Sequence, residues 1–122
     1  LRLSESRGTL SVVEDQIGGP TPAVAIARSC LRLVEALLDG QRGGTYHYAG
    51  SPAASWKCFA RETFAAAHRH VVVRGIPTSE YPTAATRPLN SRLYCTSLQA
   101  DFGIVMPNWK PALTETVETL IA

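Results

Sequence analysis

The stretch Leu10-Ser11-Val12-Val13-Glu14-Asp15-Gln16-Ile17-Gly18-Gly19-Pro20-Thr21 passes from an apolar, β-branched run into a turn rich in glycine and proline. Leu10 to Glu14 predicts a strand, because branched side chains favour extended backbone, and the segment from Asp15 to Pro20 ends it. Thr21 then offers an N-cap and Pro22 suits the first helical position. Ile26, Cys30, Val34 and Leu37 mark one helical face until Gly40 stops the helix. Strand, tight turn and helix in immediate succession form the unit of α/β proteins, whose ligands bind where strands end and helices begin. That position makes the turn from Asp15 to Thr21 a candidate site. The competing role for Asp15 and Thr21 is simply to close the turn and cap the helix.

Outward from this unit the pattern continues. Upstream, residues 1–8 (LRLSESRG) resemble the last turns of a helix stopping at Gly8, and a start without Met implies that something preceded Leu1. Downstream, Thr45 to Ala49 predicts a short strand with Tyr46 and Tyr48 on one face and His47 on the other. Ser55 caps a second helix in which Trp56, Phe59, Ala60, Thr63, Phe64 and Ala67 recur at helical spacing. Val71 to Val73 predicts a third strand. Gly75 to Leu93 is irregular and longer than most connections in compact domains, a length usually reserved for functional loops. Thr96 to Phe102 forms a short helix closed by Gly103, and Asn108 caps a last helix with Trp109, Leu113, Val117 and Leu120 inward. The expectation is an α/β domain of about three short strands and four helices, a meagre sheet for a free-standing protein.

Composition narrows the function classes. The chain has 122 residues, 45% apolar and 18% charged, which suits one globular domain and excludes a disordered or collagen-like chain. No apolar run reaches the ~20 residues of a membrane span, and no signal-peptide pattern opens the chain, so a cytoplasmic protein with no membrane partner is expected. Cys30, Cys58 and Cys95 are distant and odd in number, which fits reduced thiols better than a disulfide framework or a CxxC clamp. A net charge of +2 does not argue for nucleic acid. Residues 69–92, however, hold Arg69, Arg74, Arg87 and Arg92 against Glu80 alone, which points to a small anionic ligand.

Arg87 is the best candidate for that ligand. It lies in YPTAATRPLNS (residues 81–91), where prolines restrict the backbone around a planar side chain with five donors. Its alternative role is a surface ion pair. His47, His68 and His70 lack metal-ligand spacing and are assigned to strand or helix ends, and Trp56 and Trp109 are assigned to the core. The nine glycines never form GxGxxG. Lys57 and Lys110 are preceded four residues earlier by Ala53 and Met106, so no tyrosine stands where it could pair with a lysine on a helix. The chain alone is not expected to transfer hydride.

The run LSVVEDQIGGPT, the segment GTYHYAGS (residues 44–51) followed by Ser55-Trp56 and Phe59-Ala60-Arg61-Glu62, the loop YPTAATRPLNSRL (residues 81–93) and the ending Phe102-Gly103 then Pro107-Asn108-Trp109 share one order. In that order they resemble the C-terminal half of the dTDP-4-dehydrorhamnose reductase family. The resemblance covers essentially the whole chain and rests chiefly on EDQ-x-G-x-PT and RP-x-NS. It implies the smaller, dTDP-sugar-binding domain of an extended short-chain dehydrogenase, residues 1–122 being a single domain of a longer protein whose N-terminal Rossmann domain is absent here.

The family reduces dTDP-4-dehydro-L-rhamnose to dTDP-L-rhamnose with NADPH or NADH, in the synthesis of bacterial surface polysaccharides. The implied cofactor loop and catalytic tyrosine and lysine belong to the other half, so no catalytic or cofactor residue is assigned here. The resemblance places Arg87 and Asn90 by the diphosphate, and Asp15, Gln16, Pro20 and Thr21 along the substrate cleft. Ala84 stands where the family usually has proline, and Tyr94 where a small polar residue is more common. Some relatives form magnesium-bridged dimers through glutamates. Ser6 and Thr119 fall at two such positions, so magnesium is not carried over. An exposed apolar surface and self-association are expected of the domain alone. The alternatives are a non-catalytic regulatory subunit and a reductase or epimerase for another nucleotide sugar.

Overall fold

A computed structural model describes residues 1–122 and shows an α/β fold. The strand read at residues 10–14 is β1 (Thr9–Val13), which pairs in parallel with β4 (Val72–Ile76), Val13 lying opposite Ile76. Between them lie β2 (Ile17–Gly18), α1 (Ala23–Leu38), β3 (Ala54–Ser55) and α2 (Trp56–Ala66). A 3-10 turn (Thr78–Glu80), α3 (Thr96–Phe102) and α4 (Trp109–Ile121) follow. The sheet is indeed slight: two parallel strands, and a separate antiparallel pair of β2 with β3.

Several elements differ from their sequence reading. Residues 1–8 open with a 3-10 turn, Arg2–Glu5. The segment 45–49 is not a strand, because no strand edge lies beside it. Its alternation survives as burial: Tyr46 and Tyr48 are half-buried and His47 is exposed. Tyr46 donates to the Asp101 carboxylate at 2.8 Å, which raises its phenol pKa, and stacks edge-on against Phe102. The last strand continues past Val73 to Ile76, so the irregular stretch begins only at Pro77.

Helix α1 corrects the expected packing face. Its cap is Pro22, without a side-chain hydrogen bond, while Thr21 is used elsewhere. The stripe turned toward the protein runs Ala25, Ser29, Leu33 and Ala36, one residue away from the predicted Ile26, Cys30, Val34 and Leu37, all of which are exposed. Only Ser29 is buried along it, no strand or helix packs extensively against α1, and Ile26, Val34 and Leu37 are left outside. Leu31 and Leu38 are exposed as well.

The core lies under α2, α3 and α4. Phe64, Ala67, Leu98, Ile104, Trp109 and Val117 are buried, and Cys95 joins them. Trp109 keeps 2% of its surface exposed, stacks at a tilt on Phe59 with centroids 5.5 Å apart and donates its indole N–H to the Pro52 carbonyl at 2.7 Å. Leu120, expected inward, is exposed near the end of α4. Ser55 and Asn108 cap α2 and α4 as their types predict, accepting from the N–H groups of Cys58 and Lys110. Gly40 and Gly103 take left-handed backbone just beyond α1 and α3. No helix is long and apolar enough to cross a membrane.

Candidate functional site

The end of β1 delivers Asp15 beside the start of the long loop. The Asp15 carboxylate accepts from the Thr78 backbone N–H at 2.9 and 3.0 Å and from the Thr78 hydroxyl at 2.6 Å. These bonds favour the charged form and hold its pKa below the ordinary aspartate value. Gln16 donates to the Thr78 hydroxyl oxygen at 3.1 Å. Two residues on, Ile17 donates its N–H to the Leu89 carbonyl, and its carbonyl accepts from the Ser91 N–H, both at 2.8 Å.

The turn from Gly18 to Thr21 is built against the segment from Ala49 to Ser51. A Cβ on Gly50 would collide with the Pro20 carbonyl, and one on Gly19 would stand 2.6 Å from the Gly50 carbonyl oxygen. Only hydrogen fits between these backbones. Thr21 seals the contact, its hydroxyl donating to the Gly19 carbonyl at 2.8 Å and accepting from the Gly50 N–H at 3.0 Å. The Ser51 N–H donates to the Pro107 carbonyl and the Ser51 carbonyl accepts from the Trp109 N–H, which ties this wall to the head of α4.

These elements enclose a cleft of about 1290 Å³. One wall is the turn from Gln16 to Thr21 with the first turns of α1; the loop brings Arg87 and Pro88, α2 brings Trp56, and α4 closes the far side. Of the residues singled out from sequence, the structure brings Gln16, Pro20, Thr21 and Arg87 into this one cleft. Asp15 and Asn90 stand beside it without lining it. Asp15 is spent on Thr78, and the Asn90 side-chain carbonyl accepts from the Arg92 backbone N–H and guanidinium at 3.2 and 2.9 Å. Trp56 corrects its assignment to the core: it is 59% exposed at the head of α2 and lines the cleft. Its place at the first helical position, directly after the cap, was the available signal, since the first turn projects from the end of the packed face. Arg28, on the second turn of α1, also lines the cleft and was not singled out.

The electrostatics favour an anion. The three ion pairs of the chain use Lys57 with Glu14, Arg69 with Glu5 and Lys110 with Glu62. Arg87 and Arg28 take part in none of them, so two guanidinium groups face this space with their donors uncommitted, and Glu115 is the one carboxylate on the lining. A smaller concavity of about 580 Å³ at the end of α2 holds His68, Arg69 and His70, but Arg69 is occupied with the Leu1 carbonyl and Ser4 hydroxyl. No group of three His, Cys, Asp or Glu side chains is placed to hold a metal ion.

These residues do not fit a nicotinamide dinucleotide. Gly18 and Gly19 occupy the strand-to-helix turn, but the space a Cβ would take there is filled by Ser91 and Gly50 of the protein, not left open for a pyrophosphate.

Residues 1–121 match the family model of the RmlD substrate binding domain. The chain belongs to that family. A dTDP-4-dehydrorhamnose reductase of Sinorhizobium fredii is 38% identical over 99% of this chain and 43% of its own length. A crystal structure of a dTDP-4-dehydrorhamnose reductase from Clostridium acetobutylicum superposes with a TM-score of 0.86 at 33% identity, covering 99% of this chain and 42% of that one. The Bacillus anthracis reductase, solved in complex with NADP, gives 0.80 at 33% identity, covering 93% of this chain and 39% of that one. The chain thus spans about two fifths of the length of these relatives.

Proposed function

We propose that this chain is the nucleotide-sugar-binding part of a dTDP-4-dehydrorhamnose reductase, the whole protein reducing dTDP-4-dehydro-L-rhamnose to dTDP-L-rhamnose with NADPH or NADH. The observation that carries the reading is the unpaired Arg87 guanidinium in the same cleft as Gln16, Pro20 and Thr21. A diphosphate is the ligand group that suits it, because a guanidinium matches two phosphate oxygens with parallel charged hydrogen bonds. Arg28 adds a second positive charge along the same wall. Trp56 supplies a flat apolar face for the planar base, the kind of surface on which nucleobases stack. The rigid turn from Gly18 to Thr21 gives the sugar end a fixed wall, since its backbone is locked against Gly50.

Hydride delivery to the sugar C4 and protonation of its oxygen belong to a Rossmann domain outside these residues, so the chain alone binds and does not reduce. The apolar stripe of α1, with Leu31, Val34 and Leu38 exposed, is a surface for that domain, and without it the chain self-associates. The test is calorimetric titration of the protein with dTDP-rhamnose, a UDP-hexose and a GDP-hexose. Preference for the dTDP-sugar supports the reading. Equal or stronger binding of UDP- or GDP-sugars would assign the cleft to another nucleotide sugar.

A further inference from the structure

The loop that carries Arg87 is bound at both ends to three consecutive residues. Asp15 holds Thr78 at its entry through both carboxylate oxygens, and Gln16 reinforces this by donating to the same threonine hydroxyl. Ile17 holds Leu89 and Ser91 at its exit through two backbone bonds of 2.8 Å, and the Ser91 hydroxyl adds a third at 3.2 Å. Between these anchors residues 79–88 are all exposed, and residues 82–88 make no backbone hydrogen bond to the rest of the chain. Nothing else in the main chain places Arg87. With the exit anchor alone the segment pivots about Leu89; the entry anchor removes that freedom.

We infer that Asp15 is a positioning residue, holding the Arg87 loop through Thr78 and not touching the ligand. This rests on the nucleotide-sugar reading of the cleft. The alternative, direct contact, is disfavoured by charge as well as by geometry: a carboxylate facing a diphosphate would repel it, whereas both Asp15 oxygens are turned to Thr78. The two roles predict opposite effects of removing the charge. If Asp15 faced the ligand, Asp15→Asn would tighten binding. As an anchor, it weakens binding, because the ligand must then also order the loop.

The experiment is a calorimetric double-mutant cycle on the whole protein with dTDP-rhamnose, each variant checked for an unchanged circular dichroism spectrum. Asp15→Asn weakens affinity by about three- to tenfold, the reach of one ordering contact. Thr78→Val, which keeps the backbone N–H but loses the hydroxyl, gives part of the loss, and Thr78→Ser, which keeps both donors, retains wild-type affinity. In the Arg87→Ala background Asp15→Asn has no further effect, since the group it positions is gone. Additive losses, or tighter binding by Asp15→Asn, would overturn the inference while leaving the nucleotide-sugar reading intact. Failure of the wild-type protein to bind dTDP-rhamnose would overturn the reading itself, and the inference with it.

Discussion

Trp56 and Trp109 are the only tryptophans of the chain and stand in opposite environments, one exposed in the cleft and the other sealed in the core. Trp56→Ala should weaken dTDP affinity by roughly tenfold, since stacking on a base is worth about 1–3 kcal/mol, and should abolish ligand quenching of tryptophan fluorescence. Unchanged quenching in that variant would place the base elsewhere. Trp109→Ala removes a buried, hydrogen-bonded aromatic and should cost about 3–5 kcal/mol in urea unfolding. Asp15 links the site to pH. Its folded pKa is lowered by the Thr78 bonds, so its contribution to stability is present above the unfolded value and is lost as pH falls through the folded one. Wild type should therefore exceed Asp15→Asn in stability at neutral pH, and the gap should close below about pH 4. A gap that persists at low pH would mean that the bonds to Thr78 do not depend on the charge.

At the scale of elements, the wall of the cleft depends on a backbone contact without side chains. Gly50→Ala would drive a methyl group into the Pro20 carbonyl, and the two segments must separate. The variant should lose about 2 kcal/mol or more in urea unfolding, within the range of overpacking costs, and lose dTDP affinity as well. Wild-type stability would show that the turn is free to yield. The same contrast between local and distant causes explains what the sequence disclosed. The caps Ser55 and Asn108 and the stops Gly40 and Gly103 act within a few residues, so the starts of α2 and α4 and the ends of α1 and α3 were legible. A strand needs a partner, and GTYHYAG has none; its alternating burial comes from Tyr46 meeting Asp101 and Phe102 across the chain. The face of α1 was misjudged by one position because periodicity marks apolar residues without distinguishing a packed stripe from an exposed one. β2 and β3 are two residues each, too short for any pattern. Arg87 stands out in the sequence by its proline neighbours and lies on the cleft lining, whereas the bond of Asp15 to a residue 63 positions away has no local signal.

For the molecule as a whole, α1 leaves Leu31, Val34 and Leu38 exposed, and the proposed role of that stripe is to meet a neighbour. The isolated chain should show concentration-dependent mass by light scattering, and Leu31→Lys with Leu38→Lys should reduce it to a monomer. A monodisperse monomer without those changes would remove the self-association proposal and leave the cleft untouched. The proposed role of that cleft, between a locked turn and a doubly anchored arginine loop, is to bind an anion, and the affinity of Arg87→Ala for dTDP-rhamnose measures it. A charged hydrogen bond is worth about 1.5–3 kcal/mol, so the dissociation constant should rise roughly ten- to hundredfold with no change in unfolding midpoint. Wild-type affinity in Arg87→Ala would mean that the cleft does not hold the diphosphate.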